Sequence, residues 1–373
     1  MHLAVTISSH GYGHGAQTAT VLAALRARLP ALRLTLLTGL PRTFFTERIG
    51  DDFTLIDWRT DFGMHMSSAL DVDRSRSADA YAALHAHWPA QVDAACARLE
   101  AVAPDLLLAN VPYLPLAAAA RLGLPALALC SLNWAGIYRH YFSTRPEAPA
   151  VLAAMQAAYA SARHFLCPAP SMAMPELGNV RSIGPLAQLG QPRREQLRER
   201  LGSAGQRRLV MIAHGGIPLR LPLQAWPVDP DITWIVPQAW GIERPDMHAF
   251  EALGLSFVDT LASVDALLGK LGYGTVTECA CNGIPLLYTS RPDWPEEACL
   301  AAWLERHGRC AAVPREALET GRLRAALEGL WAQPVPPLPV PTGAEEAARF
   351  LNEFFEPPGN LGEPPRRQGC QDV

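Results

Sequence analysis

Two short stretches hold residue types that could do chemistry. The first is Lys270-Leu-Gly-Tyr-Gly-Thr-Val-Thr-Glu278, in which Gly272 and Gly274 flank Tyr273 and Thr275 opens an apolar segment. A glycine turn feeding a helix lets backbone N–H groups approach an anion closely. The helix start adds unpaired donors and the positive end of its dipole. Glu278 falls about one turn further in, within reach of a neighbouring hydroxyl pair. A diphosphate followed by a ribose suits that layout, and a capping glycine followed by a helix with a surface acid suits it too. The second stretch is Ser9-His-Gly-Tyr-Gly-His-Gly15. An imidazole at a strand–helix junction, His14 or His10, can act as a general base near neutral pH, or can simply cap the loop or pack beneath it.

Other candidates lie elsewhere along the chain. His214-Gly-Gly216 is a second glycine turn behind an apolar run. In Arg291-Pro-Asp-Trp-Pro-Glu-Glu297, Arg291 can contact phosphate and the acids can bind sugar hydroxyls, or the whole can be a helix N-terminus with Pro295 and two dipole-complementing glutamates. Asn133, Trp134, Tyr138, His140 and Tyr141 put polar and aromatic groups either on a rim suited to an acceptor or in a packed helix start. Asp71-Val-Asp73 can hold a divalent metal under a diphosphate, but capping of the next helix is the preferred reading. Asp229-Pro-Asp231 is read as a turn. The eight cysteines are scattered without a Cys-x-x-Cys, and Cys279 and Cys281 point to different faces of one helix; buried reduced thiols are expected, and no metal site.

These residues need a scaffold. Leu3–Ser8, then the first histidine turn, then a helix with Thr18, Leu22, Leu25 and Leu29 at helical spacing, is the opening unit of a doubly wound α/β fold. The glycines at 11, 13 and 15 do not make the G-x-G-x-x-G fingerprint, and the run Leu34–Leu37 ends without an acid, so dinucleotide binding is not expected. Further strands are predicted at Phe53–Ile56, Asp105–Ala109, Ala126–Cys130 and Phe165–Cys167, with one helix through Tyr81, Leu84, Trp88, Val92, Leu99 and Val102. Beyond an Arg-rich stretch, strands are predicted at Leu209–Ala213, Ile232–Val236, Ser256–Val258, Pro285–Tyr288 and Cys310–Val313. The expected division is therefore a first Rossmann-like domain over 1–185, a linker over 186–208 and a second such domain over 209–333. An extended segment and final helix over 334–355 and a disordered tail over 356–373 complete it.

The composition fits that plan. A chain of 373 residues with 49% hydrophobic and 18% charged residues is long enough for two cores. A net charge of −4 gives no basic field for nucleic acid. No apolar run approaches the ~20 residues of a membrane span, and residues 1–8 do not make a signal peptide, so a cytoplasmic protein is expected. There is no Walker A sequence.

Ser9–His14, Asp71–Arg74, Asn133–Tyr138, Leu268–Glu278 and Arg291–Glu297 together resemble the glycosyltransferase-like N-terminal region of plant arabinokinases and its stand-alone bacterial relatives, over roughly residues 1–330. The sugar-kinase module that follows in arabinokinases has no counterpart here, and kinase activity is not carried over. More distantly the chain resembles GT-B glycosyltransferases, especially those adding N-acetylglucosamine to a lipid-linked precursor. The resemblance implies an α/β GT-B architecture, two Rossmann-like domains facing a cleft, and a nucleotide-sugar donor such as a UDP-sugar. It implies inverting transfer to a small-molecule or lipid-linked acceptor, without a cofactor or required metal. His14, or failing that His10, would be the base. His214, Gly215, Gly216, Lys270, Gly272, Tyr273, Gly274, Thr275, Glu278 and Arg291 would bind the donor. Asp293 and Glu296 stand near the place of that family's Asp-Gln pair. Gly13, Asn133, Trp134 and Tyr138 would bind the acceptor. An epimerase or hydrolase on the same fold and a non-catalytic nucleotide-sugar binder are the rival expectations.

Overall fold

The computed structural model describes residues 1–215 and 220–355. The first half runs β1 (His2–Ile7), α1 (Tyr12–Arg28), β2 (Arg33–Leu37), α2 (Arg42–Ile49), β3 (Thr54–Ile56), α3 (Arg74–Ala86), α4 (Trp88–Val102) and β4 (Leu106–Asn110). It continues with α5 (Tyr113–Leu122), β5 (Ala126–Leu129), α6 (Trp134–Phe142), α7 (Ala148–Ser161), β6 (Phe165–Pro168) and β7 (Val180–Ile183). After α8 (Arg194–Leu201) the second half has β8 (Arg208–Ala213), β9 (Ile232–Val236), β10 (Met247–Ala249), α9 (Phe257–Leu261), β11 (Ala266–Lys270) and α10 (Tyr273–Asn282). Then come β12 (Leu286–Thr289), α11 (Glu297–His307), β13 (Cys310–Val313), α12 (Arg315–Thr320), α13 (Arg324–Trp331) and α14 (Gly343–Asn352).

Strands β1–β7 form one parallel sheet in the order 3-2-1-4-5-6-7, and β8–β13 a second in the order 10-9-8-11-12-13. In each sheet the order reverses beside the first strand, β1 or β8, and ligands gather outside the carboxyl ends of strands at such a switch point. Both central strand pairs are buried on two faces, so they read as continuous apolar runs rather than alternating ones. That explains why Ala266–Lys270 is a central strand with no period-two signal.

Two expectations are corrected. Ser256–Val258 is not a strand: Ser256 caps the short helix α9, its hydroxyl accepting from the Asp259 N–H, and hydroxyl capping outweighs the β-propensity of Phe257 and Val258. The helix expected through Tyr81 and Val102 is two, divided at His87, because Pro89 in the first turn of α4 has no N–H to continue α3. The edge strands β7 and β10 were not legible in advance. The tail expected to be disordered, 356–373, lies outside the described residues.

The chain passes between the sheets twice, once after β7 and once through the extended segment 333–341. Helix α14 then packs on α1, with Arg28 Nη2 2.7 Å from Glu345. The two crossings are bonded to each other: the Gly343 N–H donates to the Pro185 carbonyl (3.2 Å) and the Gly184 N–H to Glu346 (3.2 Å). A Cβ on Gly343 would stand 2.1 Å from the Gly184 carbonyl oxygen, which is backbone and cannot swing aside. Gly343→Ala should therefore destabilise the fold by roughly 1–3 kcal/mol, the usual cost of overpacking, read as a lower urea midpoint. No helix among the described residues is long and apolar enough to cross a membrane.

Candidate active site

The carboxyl ends of the two sheets meet at a seam, and the chemistry-bearing residues gather there. On the first side, β1 ends at Ile7 and the chain turns into α1, whose N-cap Gly11 supplies no side-chain cap. A Cβ built on Gly11 or Gly13 meets nothing within 4 Å, so this helix start opens on free space. His14, in the first turn of α1, is 9% exposed. Its Nδ1 lies 3.1 Å from Asn110 Oδ1 at the end of β4, and its Nε2 has no protein partner among the described residues. Burial holds the imidazole down to about 4, against the raising effect of Asn110. His14 is thus neutral at pH 7 with one ring nitrogen free, the state a general base requires.

His10 is gripped more tightly. Its ring stacks on Trp294 of the second domain at 5.9 Å, meets Trp134 edge-on at 5.4 Å, and has Nδ1 3.3 Å from the Phe62 carbonyl. Burial, then the charges of His14, Lys270 and Arg291, push it down to about 3. Gly63 makes that fit possible: its φ is +60°, and a Cβ there would stand 2.6 Å from the Trp134 ring and 2.8 Å from that of His10. Asp61 was not singled out from the sequence. Its carboxylate accepts from Trp134 Nε1 (2.6 Å), and burial raises it to about 6, opposed by Trp134, Ser8 and Ser9.

On the second side, β8 is followed by His214, which is 4% exposed with neither ring nitrogen bonded among the described residues. Burial and then Lys270 bring it down to about 4. Gly215 follows in the left-handed region (φ +74°), and Gly216 lies outside the described residues. Lys270 ends β11, the neighbour of β8, with Nζ 3.5 Å from the Ala69 carbonyl. Burial, then Arg291, lower it to about 7, with Glu296 opposing. Helix α10 starts at Gly272 without a side-chain cap, which leaves the first-turn N–H groups of Tyr273, Gly274 and Thr275 as donors. A Cβ on Gly272 or Gly274 would meet nothing within 4 Å. The Tyr273 hydroxyl ties this helix to the crossing chain, donating to Ala169 O and accepting from the Leu186 N–H, both at 2.9 Å.

Arg291 is 6% exposed, over the Trp294 ring at 5.3 Å, donating to the Leu271 carbonyl (2.9 Å) with its Nε unbonded among the described residues. Glu297 closes the loop by accepting from the Arg291 N–H (2.6 Å) and the Ser290 hydroxyl. Glu296 is buried, accepting from Ser131 Oγ of the first domain (2.7 Å) and from Trp294 Nε1 (3.3 Å). Burial raises its carboxyl, opposed by Ser131, Trp294, Arg291 and Lys270. Glu278 is half-buried on α10, raised to about 7 by burial against the pull of Arg48 on α2.

The remaining candidates are placed differently from one another. Asn133 caps α6, its Oδ1 accepting from the Gly136 N–H (2.7 Å). Trp134 and Tyr138 are 0% and 1% exposed. They lie beneath the seam, Tyr138 edge-on to Tyr81 at 5.0 Å, so of the two readings these aromatics follow the packed helix start and not the rim. Asp293 is on the outside, 2.7 Å from Arg74 and 3.7 Å from His140. Asp71 pairs with Arg315 across the seam (2.7 Å), Asp73 caps α3 by accepting from the Arg76 N–H (3.0 Å), and Asp229 and Asp231 both bind Arg324.

Among models of known families none matches the chain. It is 25% identical over 326 residues to L-arabinokinase of Arabidopsis thaliana, covering 86% of this chain and 31% of that protein. It is 31% identical over 105 residues to an uncharacterized glycosyltransferase of Methanopyrus kandleri, covering 26% of this chain and 30% of that one. The match thus spans about a third of the length of either relative. The solved glycotransferase of kitacinnamycin superposes with a TM-score of 0.60 at 16% identity, over 95% of this chain and 94% of its own. UGT89C1 of Arabidopsis thaliana, solved with UDP, superposes with a TM-score of 0.58 at 14% identity, over 95% and 99%. The fold is that of the GT-B glycosyltransferases, two parallel-sheet α/β domains side by side.

Proposed function

We propose that this chain transfers a sugar from a nucleoside diphosphate donor to an acceptor hydroxyl, with inversion and without a required metal. One observation carries the reading. Lys270, Arg291, His214 and His10 crowd the seam beside the uncapped start of α10, and each is held below its ordinary pKa by burial and, for three of them, by another cation or imidazole of the group. Such a cluster is short of negative charge, and a diphosphate supplies it.

In this reading the donor phosphates lie against the N–H groups of Tyr273, Gly274 and Thr275 and of Gly215, with Lys270 and Arg291 as counter-charges. Glu278 is one turn along for the ribose. The acceptor hydroxyl attacks the anomeric carbon as its proton passes to His14 Nε2. The bond from that carbon to the diphosphate oxygen breaks, and the charge on the departing diphosphate meets donors already in place. Main-chain amides with Lys270 and Arg291 replace a cation in this scheme, while Asp71 and Asp73 are taken up by Arg315 and by capping. Gly13 and Asn133 border the acceptor, with Trp134 and Tyr138 as the floor beneath it. The arabinokinase and glycosyltransferase relatives and the UDP bound in the Arabidopsis neighbour support a nucleotide sugar over other diphosphates. The seven described thiols, all buried or half-buried and free, suit a reducing cytoplasm.

A melting-point screen of the full chain against UDP, GDP, dTDP and their sugars tests the reading. At a hundred times Kd the matching ligand should stabilise the fold by about 2.7 kcal/mol. No shift with any nucleoside diphosphate or its sugar overturns it.

A further inference from the structure

We infer that Glu296 of the second domain fixes the tautomer of His14 in the first, through an unbroken hydrogen-bonded relay of Ser131, Gln17 and Asn110. The role assigned to the relay rests on His14 being the base proposed above. Its members come from separate elements. Asn110 ends β4, Ser131 follows the adjacent strand β5, and Gln17 stands three residues after His14 on the same face of α1. The contacts are His14 Nδ1 to Asn110 Oδ1 at 3.1 Å, Asn110 Nδ2 to Gln17 Oε1 at 3.1 Å, Gln17 Nε2 to Ser131 Oγ at 3.3 Å, and Ser131 Oγ to Glu296 Oε1 at 2.7 Å. All five residues are less than 10% exposed, so water does not compete for these groups.

The direction of the chain follows from its last member. The Ser131 and Trp294 donors and the nearby Arg291 and Lys270 favour the carboxylate of Glu296 against its burial. In that form Glu296 only accepts, so Ser131 donates to it while its other oxygen is occupied by the Trp294 N–H, which only donates. With its proton committed, Ser131 must accept from Gln17, which turns the Gln17 amide nitrogen toward it and its oxygen toward Asn110. Asn110 then donates to Gln17 and presents its own oxygen to His14. His14 can answer that oxygen only with an N–H at Nδ1, and its lone pair is left on Nε2. A charge that could sit directly beside an imidazole is here delivered from the opposite domain, through neutral groups, and only while the two domains are apposed. Asn110, Gln17, Ser131 and Glu296 are therefore positioning residues. Two local contacts compete: Asn110 Nδ2 also lies 3.3 Å from the His14 carbonyl, and Cys130 Sγ is 3.6 Å from His14 Nδ1.

The test reads the tautomer directly. The full chain, labelled with nitrogen-15 in histidine, is examined at pH 7 by long-range proton–nitrogen correlation, with His14 assigned from its loss in His14→Gln. A single Nδ1–H form is expected in the unaltered protein and a mixture of tautomers in Ser131→Ala, with Gln17→Leu as a second break in the relay. Adding Asn110→Asp to Ser131→Ala should restore the single form, because a carboxylate then accepts from Nδ1 directly and Gln17 is free to turn. With a donor identified, Ser131→Ala should lower kcat about tenfold at unchanged nucleotide affinity, and the double variant should recover it. An Nδ1–H form unchanged in both Ser131→Ala and Gln17→Leu would show that the His14 carbonyl orients Asn110 alone, and would overturn the relay. Full turnover by His14→Ala would remove the catalytic role of the relay while leaving the tautomer result standing.

Discussion

His14→Ala should lower kcat by about 10²–10⁴ with little change in nucleotide affinity, since a positioned base contributes on that scale and only in the transition state. The expectation follows from how the ring is held. Its Nδ1 faces Asn110, its Nε2 has no protein partner among the described residues, and burial keeps it neutral well below pH 7. The acid limb of the rate profile should accordingly lie below the ordinary imidazole range. His10 is the contrast: it is wedged between two indoles and the Phe62 carbonyl, so its replacement should disturb the seam and affect nucleotide binding along with rate. Calorimetry alongside initial rates separates the two. A His14→Ala protein that turns over at the full rate with a confirmed donor would remove the base.

Lys270 gives the other large effect. In the free protein its ammonium is brought down to about 7, by burial and then by Arg291. A bound diphosphate favours the charged form and raises that pKa again. Binding should therefore be tightest below pH 7 and weaken as the pH rises through it, by up to about 10²-fold between pH 6 and pH 9 if the bound pKa exceeds 9. His214 and His10 do not contribute to this window, being uncharged across it. Near pH 8 binding should take up close to one proton, seen as a dependence of the calorimetric heat on the buffer's ionisation enthalpy. Lys270→Met should remove this slope and the proton uptake, leaving only what Glu278, also held near 7, contributes. A wild-type affinity that is flat from pH 6 to pH 9 would show that Lys270 does not face the phosphates.

Much of this was legible in the chain because it is local. A strand, a glycine turn and a helix carrying His14 read off directly, as does the uncapped glycine start at Gly272. What was not legible is what parallel sheets assemble from afar. Asn110 looked like the polar end of an apolar run, and nothing near it in sequence says that Gln17 and Ser131 stand beside it; the strand order 1-4-5 does. Asp61 lay in an irregular loop whose path is set by Gly63 beneath Trp134. Trp134 and Tyr138 read equally as rim or as packed, because an aromatic at a helix start after a strand has no periodic partner to reveal burial. Asp293 was read for a ligand and the Asp71–Asp73 pair chiefly for a cap, whereas the partners of Asp293 and Asp71, Arg74 and Arg315, belong to the opposite domain in each case.

The paired crossings have a mechanical meaning. A body hung from one string can swing in any direction, but two strings bonded where they meet leave it a single pivot. Gly184 and Gly343 make that join, so the halves should part like a book rather than wander, with the spine at their contact and the pages turning outward from His10 and Trp294.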